Sequence, residues 1–439
     1  MVTITRVAEA LQKVLGETAN QLGQESQFIK RKRKFTGATF AQTLVFGWLA
    51  NGKASLGEMN QAAAAVGVPI SEQGIDKRFT PEAAAFMEAV LQATIAEVVS
   101  AEPVSVAILS RFNGVYIRDS TVIGLPQLLV DVWLGCGNSN GETAALKVQV
   151  EWELSTGGFA DIALRPGREH DSQVLNRCPE LPPGSLNIRD LGYFKLDQLE
   201  KEHDEGKFWL TRYKTRTALF DENDERFDLN EWLNSLPKSV NRAERTVSMG
   251  AKHQIPCRLM VARAASKQAA ETRRKLKKAA RKRGQTTSKA RLALADWVIY
   301  VTNVPADQLS LEEALVLVRV RWQIELLFKL WKSEGQLNES RSEKPWRILC
   351  EIYAKLIALV IQHWLILVGC WGNPKRSLTK AAQTIRKFAF QLASVIMKTR
   401  QLRSTIGKIR RCMASGCRMN TRKTKPNTYQ LLWNLENDA

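Results

Sequence analysis

The chain has 439 residues, 44% of them hydrophobic and 25% charged, which is ordinary globular usage with material for two to three domains. Its balance is not ordinary: 64 Lys+Arg stand against 44 Asp+Glu, a net charge of +20 with a pI near 9.7. Such an excess of cations asks for a polyanion, nucleic acid first and an anionic membrane surface second. A membrane span is excluded, because the most apolar run, "CEIYAKLIALVIQHWLILVGCW" (350–371), carries Glu351, Lys355, Gln362 and His363 and reads as a buried helix. Seven cysteines without framework spacing fit a reducing cytosol, and Cys412 and Cys417 lack the neighbours of a zinc site. Four histidines leave little for imidazole catalysis and turn attention to carboxylates.

In chain order, residues 1–105 read as an all-helical domain whose start, "MVTITRVAEALQKVLGE", is amphipathic and lacks a signal-peptide core. Within it, 55–91 has a helix-turn-helix rhythm. An Ala-rich helix ends near Gly67, Ser71 caps a short helix with Gln73, Lys77 and Arg78, and Thr80-Pro81 starts the next. The upstream "KRKRK" (30–34) is a phosphate-binding patch by composition. Lys77 and Arg78 are therefore candidate DNA contacts.

From 106 to 214 the texture is β-rich. "GVYIRDSTVIGL", "ALKVQVEWEL", "GGFADIALRP" and "GSLNIRDLGYF" are strand candidates, with "REHDSQVLNRC" (168–178) a helix-like connector. A helix over "YFKLDQLEKEHDEG" and a strand at "KFWLTRYK" (207–214) follow. Three strands, a helix, a strand, a helix and a strand is the order of a ribonuclease-H-like mixed sheet. Residues 215–295 form an insertion, β-like at first and then strongly basic over 267–294. There, nine cations (Lys267 to Arg283) stand against Glu271 alone, which points to a nucleic-acid backbone. Residues 296–372 return to the core with the strand "DWVIYVTNVP" and a helix over 310–334, and 373–439 is a basic helical region. "RKFAFQLASVIMKTRQLRSTIGKIRR" there reads as an amphipathic helix, with a loosely ordered end after it.

The helix over 310–334 holds one acid, Glu325, in "VRVRWQIELLFKLWKSE" (318–334). At about 100° per residue, Ile324, Leu327, Phe328 and Trp331 form one apolar stripe, and Trp322, Leu326 and Leu330 a second. Arg321, Glu325 and Lys332 fall within about 40° of one another between them, which predicts a helix buried on two sides with a narrow charged strip. The plainer reading is an Arg–Glu pair on a solvated face. Asp119 in the first strand and Asp190 at the end of the fourth would lie on neighbouring strands, and Glu325 would complete a three-acid cluster. Clustered carboxylates repel unless they hold hard divalent cations, and two Mg²⁺ ions about 3.5–4 Å apart suit an in-line phosphoryl displacement. Arg321 and Lys332 would then bind substrate phosphates.

These residues resemble the DDE transposases of bacterial insertion sequences, in the insertion-sequence-four family. Its signature, Tyr-x2-Arg-x3-Glu-x6-Lys, is matched by Arg321, Glu325 and Lys332, with Val318 at the Tyr position. Its Asp-x-Gly-Phe/Tyr motif is matched by Asp190, Gly192 and Tyr193, and "IRDSTVIGLP" (117–126) is similar to its first-Asp context. The resemblance implies a ribonuclease-H-like core with a mostly β insertion. It also implies two Mg²⁺ ions (Mn²⁺ as a substitute) on Asp119, Asp190 and Glu325, and cut-and-paste movement of an element. The expected partners are double-stranded DNA, as terminal inverted repeats and target, and a second copy in a synaptic homodimer, in a bacterial cytoplasm at the nucleoid. End cleavage in this family passes through a hairpin with a flipped base held by an aromatic residue. Trp297 is similar to that aromatic, its plainer role being a core tryptophan, and Tyr193 is a further candidate DNA contact. Two other readings remain on the same fold: a DNA-binding protein impaired in catalysis, and a structure-specific nuclease.

Overall fold

The structure, a computed structural model, describes residues 3–31, 34–137, 141–173, 180–373 and 375–419, with 431, 432 and 435. Contacts divide the chain into two units, one of residues 1–106, 119–169 and 322–438, the other of residues 107–118 and 170–321.

The first unit opens with α1 (Ile4–Gln12), capped by Thr3, whose hydroxyl accepts from Arg6 N–H at 3.1 Å. A π-helical turn leads into α2 (Ala19–Glu25). Reciprocal Thr36–Thr39 and Ser55–Glu58 capping boxes start α3 (Gly37–Ala50) and α4 (Leu56–Ala65). The helix-turn-helix rhythm is present as expected. Past α4 the chain turns at Gly67 (φ +83°), which only glycine adopts without strain. The Ser71 hydroxyl then caps α5 (Glu72–Asp76), and Thr80 with Pro81 starts α6 (Pro81–Ala96). Phe28 lies between Phe40 and Phe86, stacking on Phe86 at 5.2 Å.

A single turn, α7 (Ala107–Ser110), precedes β1 (Val115–Leu125), which starts in the second unit and ends in the first. In the first unit β2 (Ala144–Glu153) pairs antiparallel with β3 (Phe159–Pro166). The second unit adds β4 (Leu186–Arg189), α8 (Leu196–Asp204), β5 (Phe208–Arg212), β6 (Leu219–Phe220), α9 (Leu229–Ser235), β7 (Arg242–Met249) and β8 (Ile255–Arg263). It continues with α10 (Ser266–Arg281), α11 (Lys289–Ala293), β9 (Trp297–Thr302) and α12 (Leu311–Val320). The sheet order is β3-β2-β1-β4-β5-β9-β8-β7-β6. Strands β1, β4 and β5 are mutually parallel and β5 to β8 pair antiparallel through β9. The parallel β4–β5 step needs a crossover, and α8 supplies it. The segment 215–295 lengthens this same sheet: Thr302 of β9 pairs with Leu210 on one side and Arg258 on the other. Trp209, Met249, Leu259, Val261 and Val301 fill the core of this unit.

Every β2 residue is buried, including Lys147, Gln149, Glu151 and Glu153. Partners make this tolerable: Glu153 accepts from the backbone and hydroxyls of Ser155 and Thr156. The basic tail is three helices, α15 (Leu378–Lys387), α16 (Ala389–Val395) and α17 (Thr399–Gly416), following α13 (Trp322–Ser333) and α14 (Pro345–Cys370). Its buried positions keep a three-to-four spacing from Ile385 to Ile396, then jump six residues to Leu402, where one helix cannot keep its face. The end after 419 lies almost wholly outside the described residues.

Helix α14 is long and apolar enough to cross a membrane, but 89% of its most apolar window is buried inside the protein. Its His363 donates through Nε2 to the Gly157 carbonyl at 2.6 Å and stacks on Phe159 at 4.2 Å. Burial pushes its pKa from 6.5 down to about 4. Between those values the unfolded chain binds the proton and the folded one does not, so stability falls as pH drops from 6.5 toward 4. The full loss is about 3 kcal/mol. Denaturant unfolding at pH 7 and pH 4.5 is expected to show this loss, and His363→Gln to flatten it. An equal slope in the variant would assign the acid sensitivity elsewhere.

Candidate active site

Strands β1 and β4 run in step, Val115–Arg118 pairing with Leu186–Arg189. Asp119 and Asp190 are the next residue of each chain segment, and both are half-buried. Ser120 N–H donates to Asp119 Oδ1 at 2.8 Å. Asp190 precedes the one-turn helix Leu191–Tyr193, whose closure uses its carbonyl, accepting from Tyr193 N–H at 3.0 Å. Its carboxylate makes no capping bond, so the turn does not account for an acid here. Behind it, the buried Arg189 guanidinium bonds Glu202 of α8 at 2.6 Å and fixes that helix to β4. At Gly192 an added Cβ would lie 3.2 Å from Asp171 Oδ2, an approach tight enough that the Asp171 carboxylate would have to shift. Asp171 is a nearby carboxylate that the sequence patterns do not single out. Its only signal is an acid in a connector, which periodicity does not weigh.

The helix expected over 310–334 is interrupted at Arg321, giving α12 and α13. Burial on two sides is also corrected. Ile324, Leu327, Phe328, Leu330 and Trp331 are buried, whereas Trp322 is 60% and Leu326 49% exposed. The buried arc covers about 160° of α13, and Trp322 and Leu326 lie beyond its edge. Glu325, half-buried, accepts a hydrogen bond from the exposed Trp322 indole N–H. Two turns on, Lys332 Nζ donates to the Val122 carbonyl at 3.1 Å, tying α13 to β1 three residues beyond Asp119. Asp119, Glu325 and Lys332 belong to the first unit, and Asp190 and Arg321 to the second. Among the described residues no three His, Cys, Asp or Glu side chains form a group that could hold a metal ion. The donor chemistry of Asp119, Asp190 and Glu325, all carboxylate oxygens, still suits a hard divalent cation.

Of the candidate DNA contacts, Tyr193 is only 2% exposed, so its ring packs the turn and offers no outer surface. Trp297 is 9% exposed, with the Arg263 guanidinium 4.3 Å from its ring centroid. It borders a cavity of about 170 Å³ with Leu191, Arg212, Gln268 and Thr272, all in the second unit. Lys77 is exposed and Arg78 half-buried, and both line a cleft of about 290 Å³ with Lys30, Arg31 and Glu82. Lys32 and Arg33 lie outside the described residues.

A mixed sheet whose parallel β1 and β4 run in step toward an aspartate, Asp119 within β1 and Asp190 just after β4, belongs to the class of α/β proteins with acids carried on adjacent strands. The family model for the transposase DDE domain matches residues 110–361, more than half of the chain. The chain belongs to the DDE transposase family, and is an enzyme that acts on DNA. It is similar to the transposase for insertion sequence element IS231F of Bacillus thuringiensis subsp. israelensis, 28% identical over 97% of this chain and 94% of that protein. The transposase for IS231C of B. thuringiensis subsp. berliner is 31% identical over 79% of this chain and 76% of its own length. That for IS1151 of Clostridium perfringens is 24% identical over 80% and 78%.

Proposed function

We propose that this chain moves a bacterial insertion sequence by cut-and-paste, cleaving the element ends and joining them to target DNA. Asp119, Asp190 and Glu325 are the catalytic carboxylates of a ribonuclease-H-like core. The observation that carries this reading is the in-step register that leads into Asp119 and Asp190, together with the Lys332–Val122 bond holding the Glu325 helix to β1. These three acids would hold two Mg²⁺ ions, which supply activation of the attacking oxygen and stabilisation of the leaving one. The protein's own residues do the rest. Trp322 orients the Glu325 carboxylate through its indole N–H. Lys332 spends one of three donors on Val122 and keeps the others for substrate phosphate, with Arg321 as the second phosphate contact. Trp297, at the edge of a cavity that Leu191 also lines, is the candidate to hold a flipped base. The N-terminal helices, with Lys77 and Arg78 in a basic cleft, bind the terminal repeats, and two copies synapse the paired ends.

The test is an oligonucleotide bearing the element's terminal inverted repeat, incubated with protein and Mg²⁺. Cleavage at the end and joined products are expected, with Mn²⁺ able to substitute and EDTA abolishing both. Cleavage without joining and without need of a defined end would favour a structure-specific nuclease. Salt-dependent binding without cleavage would favour an impaired copy, for which Val318 in place of the family Tyr is the sequence motive.

A further inference from the structure

Helix α10 has two faces of opposite character. Ala269, Arg273, Leu276 and Ala280, spaced four, three and four apart, are its buried and half-buried positions. Arg273 anchors this face, bonding the Asp296 carboxylate and the Leu292 carbonyl just before β9. On the other side Lys267, Arg274, Lys278 and Arg281 are all exposed. At 100° and 1.5 Å per residue these four lie within about 60° of one another along roughly 21 Å of helix. Lys275 and Lys277 flank the stripe, and Lys282 and Arg283 follow the helix end, all of them exposed.

The nearby acids are already engaged: Glu271 pairs with Lys275 at 3.0 Å and Asp296 with Arg273. Among the described residues no ion pair is made by Lys267, Arg274, Lys278 or Arg281. Like charges three and four residues apart destabilise a helix, and phosphates laid along the stripe would reverse the sign of that effect. The stripe consists only of Lys and Arg on an exposed helix face, and the phosphate oxygens such side chains contact most often carry no sequence information, so backbone contact is the chemistry it offers first. Element ends must be told from other DNA, whereas a target has only to be held.

We propose that the outer face of α10 is a sequence-independent clamp for duplex target DNA, an inference that rests on the transposase reading. Its test uses the full chain in two forms: the quadruple variant K267A/R274A/K278A/R281A and the charge-keeping R274K/R281K. Affinity for a random-sequence duplex is measured between 50 and 200 mM salt. Joining of a pre-cleaved end to that duplex and cleavage of an uncut end are measured beside it. The quadruple variant is expected to lower the slope of log K against log salt by about 3 to 4, at close to 0.9 for each phosphate that is no longer neutralised. Joining should fall at least tenfold while end cleavage stays within twofold, and R274K/R281K should behave as the parent protein. Unchanged slope and joining in the quadruple variant would overturn the clamp and leave a solvated face. A parallel loss of end cleavage would overturn the assignment to target in favour of the element ends. If the parent protein neither cleaves nor joins, the transposase reading fails by itself, and the random-duplex slope still decides whether α10 meets DNA.

Discussion

Asp119→Ala, Asp190→Ala and Glu325→Gln are each expected to lower cleavage of the element end by ~10³-fold or more, with binding of the same end retained. The size follows from the role proposed for them. A carboxylate that holds a catalytic cation supports several kcal/mol of transition-state stabilisation, and each 1.36 kcal/mol is tenfold in rate. Binding is retained because affinity for DNA rests on Lys and Arg contacts to phosphate, and removing an acid weakens none of them. The three acids are half-buried at a strand, a strand end and a helix surface, so the substitutions open no large cavity. Single-turnover cleavage of a labelled end, with gel-shift affinity beside it, reads both quantities. Parental activity in any one variant removes that residue from the cation site. A variant that loses binding as much as cleavage would indicate damage to the fold instead.

Lys355→Met is the substitution expected to cost the fold most, about 3–5 kcal/mol. Lys355, 2% exposed in the middle of α14, bonds Glu351 at 2.7 Å and the carbonyls of Gln336 at 2.9 Å and Glu339 at 2.6 Å. Ser340 donates to the other Glu351 oxygen at 2.9 Å. One buried ammonium therefore gathers the loop that follows α13, the helix carrying Glu325. Desolvation lowers its pKa, and Glu351 opposes that shift by favouring the charged form. Removing the lysine alone strands a buried carboxylate and two carbonyls, which is why the penalty is large. Changing both partners, Lys355→Met with Glu351→Leu, is expected to recover most of the loss, since an apolar pair of similar volume needs no partner. Urea midpoints of the single and double variants test this. A double variant as unstable as the single one would place the penalty in the loop carbonyls and not in the stranded acid.

Much of this molecule was legible in the residues because its signals are local. Ser71 and Thr80 cap the helices at which their hydroxyls pointed, the strands over 115–125, 159–166, 186–189 and 208–212 fall inside the segments read as β, and that over 144–153 starts one residue before its segment. Local hydrogen bonds and side-chain alternation fix such elements whatever surrounds them. The same holds for the family. The Arg-x3-Glu-x6-Lys spacing around Glu325 and the Asp-x-Gly turn at Asp190 are runs of adjacent positions, and the transposase DDE domain match covers both.

What was not legible depends on who covers whom. Periodicity gave Trp322 and Leu326 the same weight as Leu330, yet only Leu330 is buried, because burial needs a neighbour and the sequence names none. The buried polar side of β2, the sharing of β9 between β5 and β8, and Asp171 against Gly192 are likewise contacts between distant segments. The sequence by itself determined the helix caps near the N-terminus, the strands of the β-rich segment, the +20 charge and the acids in their order. Only the tertiary structure decided that Arg118 and Arg189 pair in step ahead of Asp119 and Asp190, and that Lys332 ties its helix to β1. Capping and periodicity act over three or four residues, whereas register and burial are set by the whole sheet and core, where every competing partner is present at once.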